Sequence, residues 1–214
     1  MEEELFKHEI YKYNKISIFM ELKRGHWFVV LFTFLYVLIY AIYYLSIKNF
    51  EFLWYIFVLV FFFVLIFFTI NKTKFDYLIL WGLSIWGLLH MSGGGLVING
   101  DVLYNLQIIH FFNIGDTYIL KFDQFVHVFG FFITSLVAFH LLKGQIKVKP
   151  NWTLIYIASA LISMGLGVVN EVVEFIATVS IKQVNVGGYY NTALDLISNA
   201  VGAFLAIFLM RLRK

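Results

Sequence analysis

Long apolar windows alternate with short polar breaks along most of this chain. A helix that crosses a hydrocarbon core of about 30 Å needs about 20 mostly apolar residues, so each window of that length is a candidate span. Six windows qualify, at residues 27–47, 52–70, 77–98, 122–142, 152–180 and 192–210. The pattern predicts an all-α membrane protein, with a polytopic bundle of six transmembrane helices forming a single domain over residues 27–214.

Composition supports a membrane protein and excludes several other classes. Of the 214 residues, 61% are hydrophobic and 20% are aromatic, which is more than the surface of a soluble protein tolerates. A net charge of +3 gives no argument for a nucleic-acid partner, and the lack of cysteine excludes disulfides and thiolate chemistry. Residues 1–26 are too charged for a cleaved signal peptide, so we expect a cytoplasmic segment that can form an interfacial helix.

Basic residues are distributed unevenly between the two sides of the predicted bundle. The N-terminal segment, the second and fourth loops and the C-terminus hold 13 of the Lys and Arg residues, and the other three loops hold 3. Cytoplasmic loops carry the excess of Lys and Arg. Both termini are therefore predicted to lie in the cytoplasm, in a multi-pass protein of the cell membrane, with the loop of residues 99–121 outside.

The polar residues inside the spans fall at similar depth once this orientation is applied. Helices three and five run outward and helices four and six run inward, so four helices bring polar side chains to the outer third of the bilayer. The side chains concerned are His90, Asp123, His127, Asn170, Glu171, Glu174, Asp195 and Asn199. We expect them to meet in one site.

Spacing within the helices agrees with a shared site. Residues 122–132, FDQFVHVFGFF, and residues 194–204, LDLISNAVGAF, both place Asp, then His or Asn four residues on, then Gly three residues further. Residues at these intervals lie on one helix face. The two stripes lie on helices of the same direction, with the fifth helix antiparallel between them, and we expect Gly130 and Gly202 to let neighbouring helices approach closely.

Packing alone accounts for some of the other polar positions. His140, isolated on an apolar helix, is expected to form a hydrogen bond within the bundle. The triple glycine after His90, residues 93–95, is a feature that can end a helix. Carboxylates are harder to explain by packing, because a charged side chain at the centre of a membrane helix costs about 2.5 to 3.5 kcal/mol. Lys121 and Lys182, just outside the spans, are the basic residues nearest to them in sequence, so protons, histidines or a bound cation are expected to neutralise the rest.

Imidazoles and carboxylates in this arrangement are typical of divalent-metal sites and of acid–base catalysis. The predicted metal ligands are His90, His127, Asp123, Glu171, Asp195 and Asn199, and the predicted catalytic carboxylates are Glu171, Glu174 and Asp123. The metal would be Zn, Mg or Mn. The sequence predicts that His127 lies within about 8 Å of at least two of His90, Glu171, Glu174 and Asp195, allowing for one bridging water.

These motifs resemble two related groups of membrane proteins. The Asp-x-x-x-His of residues 123–127, the Asn-Glu-x-x-Glu of residues 170–174 and the Asp-x-x-x-Asn-x-x-Gly of residues 195–202 are similar to VanZ-like proteins. His90 with its glycines, ahead of a long loop and FDQFVHVFG, is closer to the YjdF-like family, a domain of unknown function. The resemblance covers about residues 78–209 and implies no established reaction. VanZ-like proteins usually have Gln where Glu174 stands.

Three functions fit the same residues. A metal-dependent hydrolase or transferase would act on a lipid headgroup, an envelope precursor or another small extracytoplasmic molecule, with membrane lipid as its surroundings. A proton- or ion-coupled transporter uses the same residue types, although its site should lie near the midplane. A structural or partner-binding subunit would need the polar cluster only to hold the bundle together. The sequence leaves the oligomeric state open.

Overall fold

A computed structural model describes residues 22–109, 113–114, 117–118, 120–146, 148–180 and 188–213. Within these residues the chain forms six helices: α1 (Arg24–Ser46), α2 (Phe50–Thr73), α3 (Tyr77–Gly95), α4 (Phe122–Gly144), α5 (Trp152–Ser180) and α6 (Tyr189–Leu212). The predicted all-α class is confirmed, and each of the six predicted windows forms a helix, whereas the spanning role of α3 and the orientation of the termini stay predictions. The N-terminal segment predicted to be cytoplasmic lies largely outside the described residues, as does Lys182.

Five of the described helices are long and apolar enough to cross a membrane, namely α1, α2, α4, α5 and α6. Helix α3 has 19 residues, and its last turns hold His90, Ser92 and three glycines, which lower its hydropathy. Its side chains are nevertheless apolar over most of its length. Large apolar side chains on α1 and α2 are exposed, with Phe34 at 59% and Phe68 at 72% exposure. Such exposure suits contact with lipid rather than with water.

Helices α4, α5 and α6 form the core of the bundle. Helix α4 packs most extensively against α6, and α5 contacts both of them. The expectation that α5 lies between α4 and α6 is therefore wrong, because these two parallel helices touch directly. Helix α3 packs on the outside of α4, α1 packs on α3, and α2 is held mainly by α1 and α3.

The segment between α3 and α4 folds over the end of the bundle. A hairpin of β1 (Val97–Ile98) and β2 (Asp101–Val102) turns through Asn99 and Gly100, both at positive φ, as a two-residue Asn-Gly turn requires. A short 3-10 helix (Leu103–Asn105) follows. A second hairpin pairs β3 (Asn113–Ile114) with β4 (Thr117–Tyr118). Backbone hydrogen bonds, such as Phe122 N–H to the Leu106 carbonyl at 2.8 Å, tie this segment to the start of α4.

Candidate functional site

The polar residues of four helices meet at one end of the bundle, as the sequence predicts. This end holds the last turns of α3, the first turns of α4 and α6, and the second half of α5. One group of metal-binding atoms comes from Asp123, His127 and Asp195, and a second comes from His127, Glu171 and Glu174. Within each group the atoms lie no more than 4.8 Å apart. The prediction that His127 lies near at least two of its candidate partners is confirmed, since three of the four are this close.

The His127 side chain is buried between α4, α5 and α6, with 5% exposure. Its Nδ1 is 2.9 Å from the Asn199 Oδ1, its Nε2 is 3.7 Å from an Asp123 oxygen, and its Nδ1 is 3.9 Å from Glu171 Oε1. An amide oxygen only accepts, so Nδ1 carries the proton that it donates to Asn199. In the neutral ring the lone pair of Nε2 then lies beside the Asp123 carboxylate. Two electron-rich atoms at this distance repel each other unless one of them is protonated or a cation lies between them.

Several atoms of the cluster are buried without a hydrogen-bond partner among the described residues. They are Glu171 Oε1, Asp195 Oδ1 and Asn199 Nδ2. Glu171 has 9% exposure and Asp195 has 1%. Buried polar atoms in native proteins are almost always paired, and an orphaned carboxylate oxygen costs about 1 to 3 kcal/mol or more. Glu171 and Asp195 each belong to a group of donor atoms that includes His127, so these two oxygens are suited to binding a cation.

Asn191 and Lys121 extend the group of donor atoms that comes from Asp123, His127 and Asp195. Asn191 donates to Asp195 Oδ2 at 2.6 Å and to Asp123 Oδ2 at 3.2 Å. The Lys121 ammonium donates to Asn191 Oδ1, and the Lys121 side chain is buried. Lys121 was expected near the carboxylates, but Asn191 was missed. It lies four residues before Asp195 on the same face, so extending the stripe of α6 by one turn could have found it.

A polar cavity lies beside the second group of donor atoms, which comes from His127, Glu171 and Glu174, and Glu174 lines it. Asn170 donates to Glu174 Oε1 at 2.8 Å, and Glu174 is half-buried at the edge of the cluster. The cavity has a volume of about 120 Å³. Its lining combines residues of the cluster with the start of α2 and the α3–α4 segment: Asn49, Glu51, Phe52, Tyr55, His90, Gly94, Val102, Tyr104, Asn105, Lys121, Asp123, Glu174 and Asn191.

His90 lies in the wall of this cavity and belongs to neither group of clustered donor atoms. Its Nδ1 is 2.6 Å from the Tyr104 hydroxyl, which also donates to the His90 backbone carbonyl at 2.8 Å. Burial raises the pKa of Tyr104 well above its ordinary value, with a smaller contribution from Asp123, so the hydroxyl keeps its proton. The role of His90 as a metal ligand stays a prediction.

The triple glycine after His90 forms the last three residues of α3, which ends at Gly95. A Cβ on Gly93 would lie 2.2 Å from the Tyr104 ring, and a Cβ on Gly94 would lie 1.7 Å from the Phe52 ring. A Cβ on Gly95 would meet the Tyr44 hydroxyl at 2.6 Å. The glycines therefore allow aromatic rings to lie directly on the helix backbone, which brings Phe52 and Tyr104 to the cavity.

Gly130, Gly202 and His140 have the contacts that the sequence predicts. A Cβ on Gly202 would meet the Val128 carbonyl oxygen of α4 at 2.1 Å, and one on Gly130 would meet the Trp86 indole of α3 at 2.1 Å. Both glycines face helices. His140 donates from Nε2 to the Thr73 carbonyl at 2.8 Å, away from the cluster.

Comparison with known proteins finds a family model that matches most of the chain. A family model described as "Predicted membrane protein (DUF2238)" matches residues 25–214. No curated protein and no solved structure matches the chain. The match supports a multi-pass membrane protein of a family without an assigned function, and it leaves the VanZ-like and YjdF-like resemblance unconfirmed. Since the match covers all but the first 24 residues, the chain belongs to the DUF2238 family of predicted membrane proteins.

Proposed function

We propose that this protein is a divalent-metal-dependent hydrolase or transferase that acts at the membrane surface on a lipid headgroup, an envelope precursor or a similar small molecule. One observation carries the proposal. His127 is shared by two groups of donor atoms, and each group includes a buried carboxylate oxygen that has no hydrogen-bond partner among the described residues. A cation between these atoms would supply the positive charge that both groups require.

The donor set fits a divalent metal. Zinc binds imidazole nitrogen and carboxylate oxygen at about 2.0 to 2.2 Å, so two ligands at a tetrahedral angle lie about 3.4 Å apart. The His127 Nε2 and Asp123 Oδ1 atoms are 3.7 Å apart. One imidazole among several carboxylates suits Zn or Mn better than Mg, which prefers oxygen ligands. When bound, such a metal makes a coordinated water nucleophilic and polarises a phosphoryl or carbonyl oxygen.

Other side chains of the cluster would then orient the metal ligands and transfer protons. Asn199 accepts the Nδ1 proton of His127 and fixes the ring so that Nε2 faces Asp123. Asn191 orients Asp123 and Asp195. Glu174 lies between the cluster and the cavity, where it is placed to take a proton from a water or a substrate hydroxyl.

Metal analysis of the purified protein tests the proposal. We expect about one equivalent of Zn or Mn per chain, measured by elemental analysis after exchange into metal-free buffer, because the buried carboxylates need a cation. His127→Ala should lose this metal. The matched control is His140→Ala, which removes an imidazole bonded only to a helix carbonyl and should keep it. Equal metal in all three proteins, or none in any, would contradict the proposal and favour a carrier or a structural role.

The orientation of the site follows from the distribution of charge. We propose six spans with both termini in the cytoplasm, since 13 basic residues lie on one side and 3 on the other. The cluster and the cavity lie at the end of the bundle opposite the C-terminus of α6. They would then face the extracytoplasmic side, at the depth of lipid headgroups.

Labelling of single introduced cysteines can test this orientation, because the chain has no cysteine of its own that would react with the reagent. Asn105, Gly144 and Gly188 are all exposed. We expect a membrane-impermeant maleimide added to intact cells to label Asn105→Cys and Gly188→Cys. Gly144→Cys should be labelled only after the membrane is opened. Labelling of Gly144→Cys alone in intact cells would reverse the orientation.

A further inference from the structure

A groove lies between α1, α2 and α3, toward the end of the bundle opposite the polar cluster. It has a volume of about 270 Å³, and 13 of its 15 described lining residues are apolar. The two polar ones are His26 and Thr33, and the Thr33 hydroxyl is already bonded to the Ser84 hydroxyl at 2.5 Å. A space of this size beside close-packed helices needs an occupant, and its lining requires that the occupant be apolar.

The groove extends through one leaflet of the membrane. Its lining residues run over residues 26–37 on α1 and over residues 60–70 on α2. At 1.5 Å of rise per residue each stretch is about 15 Å long, which is half of a hydrocarbon core of about 30 Å. Phe34 and Val64 line the groove and are exposed, so it is open to the surrounding lipid. An acyl chain of one leaflet therefore matches its length and its lining.

Four exposed basic side chains lie where the groove reaches the membrane surface. Lys23 and Arg24 come at the start of α1, and Lys72 and Lys74 come at the end of α2. Each of them is within four residues of a side chain that lines the groove. The apolar groove thus ends at a group of cationic side chains.

The described acid at this end of the bundle does not neutralise these cations. Val29 of α1, Ile70 of α2 and Leu80 of α3 pack in one buried cluster, so the ends of the three helices lie together. Asp76, just before α3, brings a negative charge to them, but Arg213 forms an ion pair with it. The four basic side chains therefore keep a net positive charge among the described residues of this end.

We propose that the groove binds an acyl chain of an anionic phospholipid, with the phosphate headgroup beside Lys23, Arg24, Lys72 and Lys74. Basic pockets between membrane helices favour anionic headgroups, and each Lys or Arg near the membrane surface strengthens binding about fivefold. A zwitterionic lipid offers the same acyl chains but no net negative charge. The bound lipid would hold α1, α2 and α3 together, and its site is separate from the metal site of the proposed function.

Competition between two lipids tests this site. The full-length protein, purified in detergent, is incubated with equal amounts of phosphatidylglycerol and phosphatidylcholine that have the same acyl chains. Native mass spectrometry then counts the bound lipids. We expect one phosphatidylglycerol per chain to be retained, with a preference of about tenfold or more over phosphatidylcholine. Added NaCl should reduce this preference, because salt screens exposed charges.

A pair of lysine substitutions tests the contribution of charge. Lys72→Gln combined with Lys74→Gln should weaken phosphatidylglycerol binding about tenfold and leave phosphatidylcholine binding unchanged. The matched control is Lys48→Gln combined with Lys149→Gln, which also removes two exposed lysines but away from the groove. Each pair contains one lysine at positive φ, namely Lys74 and Lys48. The control pair should bind both lipids like wild type.

A larger side chain in the groove tests the contribution of the acyl chain. Val64→Phe should weaken retention of both lipids about tenfold, because the ring takes space that the chain needs. Val168→Phe enlarges a similarly exposed valine on α5, away from the groove, and should change neither. The lysine pair is exposed and leaves the apolar packing intact, so it tests the proposal even if Val64→Phe does not fold.

Equal retention of the two lipids by the wild-type protein would overturn the proposal, as would a Lys72/Lys74 variant that keeps the wild-type preference. Retention of neither lipid would also overturn it, and would mean that another occupant, such as residues 1–21 of the chain or detergent, fills the groove. The groove and the polar cluster lie toward opposite ends of the bundle. The lipid result and the metal analysis can therefore fail independently of each other.

Discussion

Replacing Gly202 with alanine should destabilise the bundle strongly. The added Cβ would lie 2.1 Å from the Val128 carbonyl oxygen and 3.0 Å from the Phe132 nitrogen. Both atoms belong to the backbone of α4, so a change of side-chain rotamer cannot relieve the clash. The two helices would have to separate, which also pulls Asn199 away from His127. Overpacking of this kind costs about 1 to 3 kcal/mol, and a rigid backbone contact belongs at the upper end.

Thermal unfolding of the purified protein in detergent, followed by intrinsic fluorescence, measures this effect. Gly165→Ala is the matched control, because Gly165 lies within α5 and a Cβ there would meet nothing within 4 Å. Alanine also has a higher helix propensity than glycine by about 1 kcal/mol. We therefore expect Gly165→Ala to unfold at or above the wild-type temperature and Gly202→Ala well below it. Similar Tm values for the two variants would contradict the close contact between α4 and α6.

Much of this architecture can be predicted from the sequence because its signals are local. The apolar windows specify six helices, since a membrane span needs about 20 apolar residues in a row. The stripes of α4 and α6 follow from intervals of three and four residues, and they predict the contacts of His127 and Gly202. Four helices with polar groups at similar depth are enough to predict a cluster, because each isolated charge in a membrane needs a partner.

The cavity could not be predicted in this way, because its wall depends on contacts between distant segments. Glu51 lies in a polar break of the sequence, yet it is buried in the first turn of α2, where the helix dipole favours an acidic residue. Phe52 and Tyr55 resemble any other aromatic residues of an apolar span. Tyr104 reaches His90 only because the segment after α3 folds back over the bundle.

Lys121→Met should be the other strongly destabilising change. Lys121 is buried with 7% exposure and donates to Asn191, which bridges Asp123 and Asp195. Methionine has a similar length, so the variant removes the charge and the donor without a large cavity. Asn191 then loses its donor, and two carboxylates lose a nearby cation. Removing one partner of a buried charge network typically costs about 3 to 5 kcal/mol.

A double variant separates this electrostatic effect from general damage to the fold. Asp195→Asn keeps the shape of the side chain and removes one negative charge. If Lys121 compensates this charge, Lys121→Met combined with Asp195→Asn should recover part of the stability that Lys121→Met loses, measured by thermal unfolding in buffer with EDTA. Lys149→Met, at an exposed position, controls for loss of a lysine and should change the free energy of unfolding by less than about 0.5 kcal/mol. Strictly additive losses in the double variant would show that Lys121 stabilises the protein by packing alone and not by compensating the charge of Asp195.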